Sequence, residues 1–458
     1  MNKIIILILL SQISFAGVII PANSNDLKIT IYNDNRGFVS EKREAYITKG
    51  KQKLIYEGIP TSVITQSVIP TFTKINTTLY SQNFAYDLIS LNSMLEKSID
   101  KKVYYYANNS DDKAIKKGVL LAVNPILIKT KKQEIITLES SNQIIFTRIP
   151  KDMITKPSLI WNIKSADAGK LAIDLKYLTT GIRWQSDYVL NLSDDKFNLK
   201  GWITINNNSG ASYKNADISV ITGEVNKVQS TRNYKFKNAA LMESSGHNKT
   251  SQESFSGYHL YKIPFREDIN NKEQKQIVFL ENSNIKYTQY GVVTNNYFAN
   301  YSKQKLQFNN IIEFKNSKNN NMGLPLPAGT IRMYKKSSNG QSHFIGETSL
   351  KNTPKNETIK LTIGKLFDVV GDKKIIEYKN SKHFKMTKTQ YEIRNQGERV
   401  VTLKIKETLP RYRNNIKTSS SCNYNCKIVK IDAFNRVFVI KVKPSEKYIF
   451  TSKFEVNL

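Results

Sequence analysis

The chain has 458 residues, 69 of them Lys or Arg against 38 Asp or Glu, for a formal charge of +31. Two cysteines and four histidines exclude a cysteine-rich metal scaffold and a disulfide-dense miniprotein. The positive charge favours anionic envelope polymers such as lipopolysaccharide or acidic glycans; scattered lysines in a Lys-, Asn- and Ile-rich chain also follow from an AT-rich genome, and without a concentrated basic patch no nucleic acid is expected.

At the N-terminus Lys3 is the only charge before the apolar run 4–10, which is followed by Ser11 and Gln12 and then by Ser14-Phe15-Ala16 ahead of Gly17. That order is a secretory signal peptide, residues 1–16, cut after Ala16. The apolar run is far shorter than the roughly 20 residues that cross a bilayer. Gly17 stands where a lipoprotein needs cysteine, and later apolar runs such as 119–128 are short and closed by lysines. The expectation is an exported protein of a Gram-negative-type envelope, periplasmic or associated with the cell surface, with no transmembrane segment after signal cleavage.

Residues 17–155 form the first expected domain. Alternating β-branched segments at 27–32, 44–48 and 53–56 are punctuated by Gly37, Gly50 and Gly58-Ile59-Pro60, the pattern of short strands and turns. One helix is predicted at 87–99, where Leu88, Leu91, Leu95 and Ile99 recur three or four apart on one face. The second domain, 156–376, carries the densest strand pattern. Segments 170–179, 184–192 and 200–206 alternate apolar with polar residues, with turn residues at Asp194-Asp195 and from Asn206 to Gly210. They read as antiparallel neighbours with one face in a core. From about 226 to 257 periodicity gives way to Ser, Asn, Lys and Thr, the composition of a mobile insertion. The last domain, 377–458, carries strand patterns at 391–394, 400–405, 426–431, 436–442 and 448–456, with a turn at Asn395 to Gly397. That density suits a small immunoglobulin-like sandwich. The fold class is therefore mainly β: multi-domain antiparallel sheets and β-sandwiches with one short helix.

Cys422 and Cys426, in Cys-Asn-Tyr-Asn-Cys, are spaced to close a small disulfide loop in an oxidising compartment. Their spacer is not that of a thioredoxin-like pair, and no second pair completes a zinc site. His247, His259, His343 and His383 are all well separated in sequence, and HExxH, G-x-S-x-G, Walker and Rossmann motifs are missing. Asp187, Asp194, Asp195, Asp217 and Glu224 lie nearest the tryptophan-bearing strands and are the candidates for a glycosidase-type carboxylate pair. Against that, Asp194-Asp195 reads as a turn and alternation places Asp187 on a solvated face. Trp161, Trp184 and Trp202 admit sugar stacking, but aromatics in strands more commonly pack cores. No catalytic, cofactor-binding or metal-ligating residue is assigned, and no cofactor is expected.

The tract from Tyr177 to Tyr188 resembles the hallmark of a bacterial exported family of unknown function, the mucoidy-inhibitor-A-like proteins. The resemblance continues through Gly201-Trp202-Ile203-Thr204-Ile205-Asn206-Asn207-Asn208-Ser209-Gly210 and Tyr213 to Ala216. Further pieces follow in order: Tyr258 to Tyr261, Leu324-Pro325-Leu326-Pro327-Ala328-Gly329 running on to Tyr334, Phe344 to Glu347, Ile363-Gly364, and Phe367 to Val369. The stretch through Gly58-Ile59-Pro60 is similar to the partner domain often found ahead of it. The resemblance implies export and a largely β architecture, and brings no reaction, substrate or catalytic residue. Trp184, Tyr188, Gly201, Trp202, Asn208, Gly210, Pro325, Pro327 and Gly329 are expected to be structural: tryptophans as core anchors, Gly210 and Gly329 as turns, the prolines as a rigid extended connection. Relatives often carry a long coiled-coil insertion, for which this chain has only the 87–99 helix.

The function expected on these grounds is a non-catalytic binding or structural module that meets an envelope protein or glycan through loops and edges of its β domains. Two other readings stand beside it. One is a hydrolase of an envelope polymer whose site forms only in the fold, with a histidine meeting a carboxylate and a hydroxyl. The other is a polyanion binder whose affinity collapses as salt rises.

Overall fold

The computed structural model describes residues 17–106, 114–149, 153–222, 251–255, 258–296, 303–382, 384–408, 418–422, 426–430 and 435–457. Among them the chain is mainly strand, with one α-helix, Leu91–Glu96. No described helix is long and apolar enough to cross a membrane. The chain divides into two compact units, Met1–Trp184 with Ile205–Lys275, and Gln185–Thr204 with Gln276–Leu458. Most of the expected mobile insertion, 226–250 and 256–257, lies outside the described residues. Within it Ser251–Phe255 is a strand, paired antiparallel with the start of Tyr258–Ile269.

In the first unit, alternation sets the registers. Arg36–Ile47 turns every second side chain inward and pairs with Asp26–Tyr32 on one side and Gly169–Thr180 on the other. They belong to a seven-stranded sheet in the order Ser251–Phe255, Tyr258–Ile269, Tyr213–Thr222, Asp26–Tyr32, Arg36–Ile47, Gly169–Thr180, Ile69–Thr73. A four-stranded sheet of Val18–Ile20, Gly50–Glu57, Ser158–Ser165 and Thr77–Ala85 meets it around Trp161. The buried Trp161 ring lies 5.2 Å from Tyr56 and 5.7 Å from Phe72, and its Nε1 donates to Gln82 Oε1 at 2.7 Å. It is a core anchor with its one polar atom satisfied.

A smaller five-stranded sheet in the same unit encloses Val103, Tyr105, Leu120, Ile128 and Leu138, to which the helix adds Leu95. The helix is shorter than its apolar periodicity. Ser90 and Ser93 cap each other's backbone N–H, which fixes the start at Leu91 and leaves Leu88 in an extended bridge to Ile154.

The second unit holds a five-stranded sheet in the order Glu273–Lys286, Lys196–Asn207, Ile182–Leu192, Gly329–Lys336, Ser342–Leu350. Its inner face, with Tyr188, Leu190, Phe197, Leu199, Ile331 and Met333, packs on Ile312, Phe314, Ile359 and Leu361 of a nine-stranded sheet. That larger sheet curls into a half-barrel. Tyr391 in Phe384–Asn395 and Phe438 in Asn435–Val442 are not on neighbouring strands, yet their rings meet across the hollow at 6.3 Å. The strands beyond 377 are continuous in it with Thr288–Asn296, Lys303–Lys315 and Thr358–Asn380. One sheet folded on itself thus supplies the two faces a sandwich draws from two sheets.

Two features depart from the expected antiparallel neighbours. Val18–Ile20 with Gly50–Glu57, Tyr213–Thr222 with Asp26–Tyr32, Ile182–Leu192 with Gly329–Lys336, and Thr288–Asn296 with Val401–Thr408 are parallel ladders. Gly169–Thr180 and Ile182–Leu192 also belong to different sheets. Between them stands Gly181 at φ 76°, where a Cβ would lie 2.8 Å from Asn208 O, and the chain changes direction there.

Candidate functional site

The motif side chains are placed by alternation along Ile182–Leu192 and Lys196–Asn207. Trp184 is buried and donates Nε1 to Ile221 O at 2.9 Å. Tyr188, fully buried, donates its hydroxyl to Pro327 O at 2.7 Å and meets Phe279 edge-on at 5.9 Å. Pro327 is thereby fixed at its carbonyl, while Pro325 is half-buried before the buried Leu326. Gly329 pairs with Ser186 in the parallel ladder, and a Cβ there would stand 2.1 Å from Ser186 O. Its role is close backbone approach, where the sequence pattern suggested a turn. At Gly201 a Cβ would stand 2.7 Å from the Phe279 ring. Gly210 does sit in a turn, at φ 89° against Thr61, and the exposed Asn208 donates its backbone N–H to Gly181 O at 2.6 Å. Trp202 departs from the anchor role. It alternates to the face opposite the buried Gly201 and Ile203 and is only half-buried, with Lys200 Nζ 5.2 Å from its ring centroid.

Asp187 overturns the expectation of a solvated carboxylate. It is 8% exposed, accepts from Thr204 Oγ1 at 2.8 Å and Gln185 Nε2 at 3.3 Å, and pairs with Arg332 at 3.2 Å. Arg332 comes from the adjacent parallel strand, a long-range pairing that alternation alone does not reveal. Gln276 on Thr204 and Glu347 beside Arg332 extend a polar row across the outer face of the five-stranded sheet. Asp194 lies in an exposed turn with Asp195; Arg399 at 3.0 Å and Lys335 at 3.6 Å hold its carboxyl below the usual range. Asp217 pairs with Lys262 at 3.4 Å. These aspartates stand as separate groups in the structure, most with a cationic partner, and not as a facing pair.

Glu224, His247 and His383 lie outside the described residues. His259 is half-buried opposite Thr222, and the exposed His343 has Nε2 3.1 Å from Ser337 Oγ in a hairpin turn. Among the described residues no three His, Cys, Asp or Glu side chains converge so as to hold a metal ion. Cys426 packs against the core of the curled sheet, while the Cys422 side chain lies outside the described residues.

Two buried charge clusters escaped the sequence reading. Arg43 donates Nε and Nη2 to Glu41 at 3.1 and 2.8 Å, donates Nη1 to Pro21 O and Glu57 O, and stacks 3.9 Å over Tyr56. Burial pushes the Glu41 carboxyl up against the opposing pull of Arg43. In the curled sheet Arg436 donates Nε to Glu407 at 2.7 Å and Nη2 to Ser452 Oγ at 3.0 Å, and the Tyr391 hydroxyl donates to Glu407. Burial holds the neighbouring Lys373 ammonium below the ordinary lysine value; Glu407 opposes that fall and Arg436 adds to it. The available sequence cue is phase. Glu407 follows Leu403 and Ile405, and Arg436 precedes Phe438, Ile440 and Val442, all on inward positions.

A cleft of about 460 Å³ opens where Lys303–Lys315 ends, lined by Lys315, Ser317, Lys318, Asn319, Lys355 and Asn356 around Gly323. The fully buried Asn316 clamps its two walls. Its Nδ2 donates to Leu324 O at 2.8 Å and Pro354 O at 2.9 Å, its Oδ1 accepts from Gly323 N at 2.9 Å, and its carbonyl accepts from Asn356 N at 2.6 Å. Asn320 Nδ2 donates to Lys286 O at 3.0 Å and Asn321 Nδ2 to Ser283 O at 3.2 Å, tying the turn to Glu273–Lys286. Gly323 stands at φ 107°, where a Cβ would lie 2.9 Å from Lys318 N, so the turn requires glycine. The three lysines are exposed, none has an ion-pair partner among the described residues, and the lining holds neither histidine nor carboxylate. In sequence these lysines look scattered; two loops pinned by Asn316 bring them together. The cue that could have found the site is the asparagine-rich run from Asn316 to Asn321, closed by Gly323.

A second cavity of about 460 Å³ lies beside the edge strand Thr77–Ala85, with Phe84, Tyr86, Asp87, Ser90 and Ser93 in its lining. Its serines are engaged in the helix cap and Asp87 with Lys97. No match to the chain was found among curated proteins. Residues 173–458 match a family model described as a domain of unknown function, DUF4139.

Proposed function

The chain belongs to the DUF4139 family, and from that premise we propose that it is an exported, non-catalytic binding module of the cell envelope. Export rests on the signal-peptide pattern of residues 1–16. It rests also on the resemblance to mucoidy-inhibitor-A-like proteins, with the stretch through Pro60 as the start of the N-terminal partner domain. In the same reading Cys422 and Cys426 form a disulfide across the turn before Lys427–Lys430.

The observation that carries the binding reading is the Asn316-clamped cleft. It gathers ammonium, amide and hydroxyl groups on two loops pinned by Asn316, donors that can hold a polar ligand. The buried carboxylates Glu41, Asp187 and Glu407 are by contrast each engaged by an arginine. Affinity capture from crosslinked native envelopes, with the mature chain tagged at its C-terminus and a charge-matched β protein as control, is expected to retain an envelope protein or glycan. Turnover of an envelope polymer by the purified protein, lost on a point substitution, would overturn the proposal. The intact mass of the exported chain is expected to begin at Gly17 and to fall two hydrogens short of the reduced mass. A full dithiol mass would remove the disulfide.

A further inference from the structure

We infer that the cleft formed by Lys315, Lys318 and Lys355 binds a phosphorylated saccharide; this rests on the binding-module reading and names the ligand class for the same site. Three lysines line one cavity with no carboxylate among them, so their positive charges are gathered without a counter-charge. The asparagine clamp and the left-handed Gly323 fix the two loops that carry them, so the lysines stay gathered on one side of the cleft, where a dianion would meet all three. Lysines act as point-charge donors to phosphate, and the Ser317 hydroxyl and the Asn319 and Asn356 amides add neutral donors. A carboxylate, with two oxygens, would leave several of these donors unused, whereas a tetrahedral phosphate ester presents three free oxygens.

The space is that of a small-molecule site and is larger than a bare ion needs. Its lining residues are lysine, serine, asparagine and glycine, with the lysine stems as its apolar part, so the remainder of the ligand is a sugar ring, with both hydroxyl and C–H surface, and not an acyl chain. Such a group occurs both as a free sugar phosphate and as the headgroup of a phosphorylated glycolipid.

The test is calorimetric titration of the full mature protein with glucose 1-phosphate and with inorganic phosphate, at about 0.02 M and about 0.2 M salt. Vesicles containing a phosphorylated glycolipid form a second arm. The variant is K318Q/K355Q, at two exposed lysines; K131Q/K132Q removes the same charge from an exposed turn of the other unit. Saturable binding of glucose 1-phosphate, tighter than that of phosphate and at least tenfold weaker in K318Q/K355Q but unchanged in K131Q/K132Q, is the expected result. Cleft-dependent vesicle binding would identify the headgroup as the source, and its absence beside sugar phosphate binding would identify the free form. No saturable binding, or equal weakening in both variants, overturns the inference in favour of diffuse charge. If that happens while envelope capture still yields a partner, the binding-module reading survives; an empty capture removes both.

Discussion

Arg436 is held 5.2 Å from the rings of both Phe438 and Phe454, with Glu407 as its counter-ion and Ser452 as a further acceptor. A buried pair of this kind is costly to break because the surviving charge stays desolvated. Arg436→Met alone should therefore lower stability by about 3–5 kcal/mol in urea unfolding, while Arg436→Met with Glu407→Leu should recover most of that loss. Equal destabilisation by the single and double changes would show that packing of the guanidinium, not its charge, is what matters. Lys373, in the same hollow, gives a pH signature. Its folded pKa lies below the 10.5 of an ordinary lysine, chiefly through burial. Between the two values the unfolded chain holds a proton that the folded chain has lost, so stability rises with pH across that window. Urea midpoints measured in steps of pH up to 10.5 should show a rise in the wild type that Lys373→Met abolishes. Parallel shifts in the two proteins would assign the rise to other groups. The inward phase of Glu407 and Arg436 was legible, since their strands alternate cleanly; their pairing was not, because the ladder that joins them is a long-range contact.

The parallel ladder between Ile182–Leu192 and Gly329–Lys336 depends on the absence of a side chain at Gly329, which pairs with Ser186. In Gly329→Ala a methyl group must enter a space 2.1 Å from Ser186 O and 2.3 Å from Ser186 Oγ, and backbone cannot yield as a side chain can. The strands must separate locally, and a loss of about 1–3 kcal/mol is expected by analogy with overpacked cores. Tyr188 should lose near-UV ellipticity as its hydroxyl leaves Pro327 O, two residues before the glycine. Unchanged stability and signal would mean that the ladder can shift register without cost. The existence of these strands followed from alternation with turn residues between them. Their neighbours did not, because Gly181 diverts the chain to another sheet and the parallel partner arrives more than a hundred residues later. The apolar periodicity marks the helix but overstates its length, since Leu88 and Ile99 share its apolar face whereas the Ser90–Ser93 cap decides where it begins.

At the scale of the whole chain the two compact units are interleaved in sequence: Gln185–Thr204 is separated from the rest of its unit by Ile205–Lys275. A linear reading divides such a chain where composition changes, and has no way to see that a hairpin near position 190 completes a core built mostly after 276. The lysine cleft was missed for a related reason, since its two loops lie some thirty residues apart and only the Asn316 clamp joins them. The interleaving has a direct consequence. A fragment of residues 276–458 lacks Tyr188, Leu190, Leu192, Phe197 and Leu199, which leaves Ile331, Met333, Ile312 and Phe314 facing solvent. At about 1.5–3 kcal/mol for each large apolar side chain left uncovered, the loss is on the scale of the whole stability of a domain. The fragment should bind a hydrophobic dye and unfold without a cooperative transition. Joining residues 185–204 to its N-terminus through a flexible linker should restore both the transition and dispersed amide resonances. Cooperative unfolding of the bare fragment would show that the nine-stranded sheet carries its own core, formed around Phe308, Tyr391, Phe438 and Phe450, and that the hairpin is an addition to it.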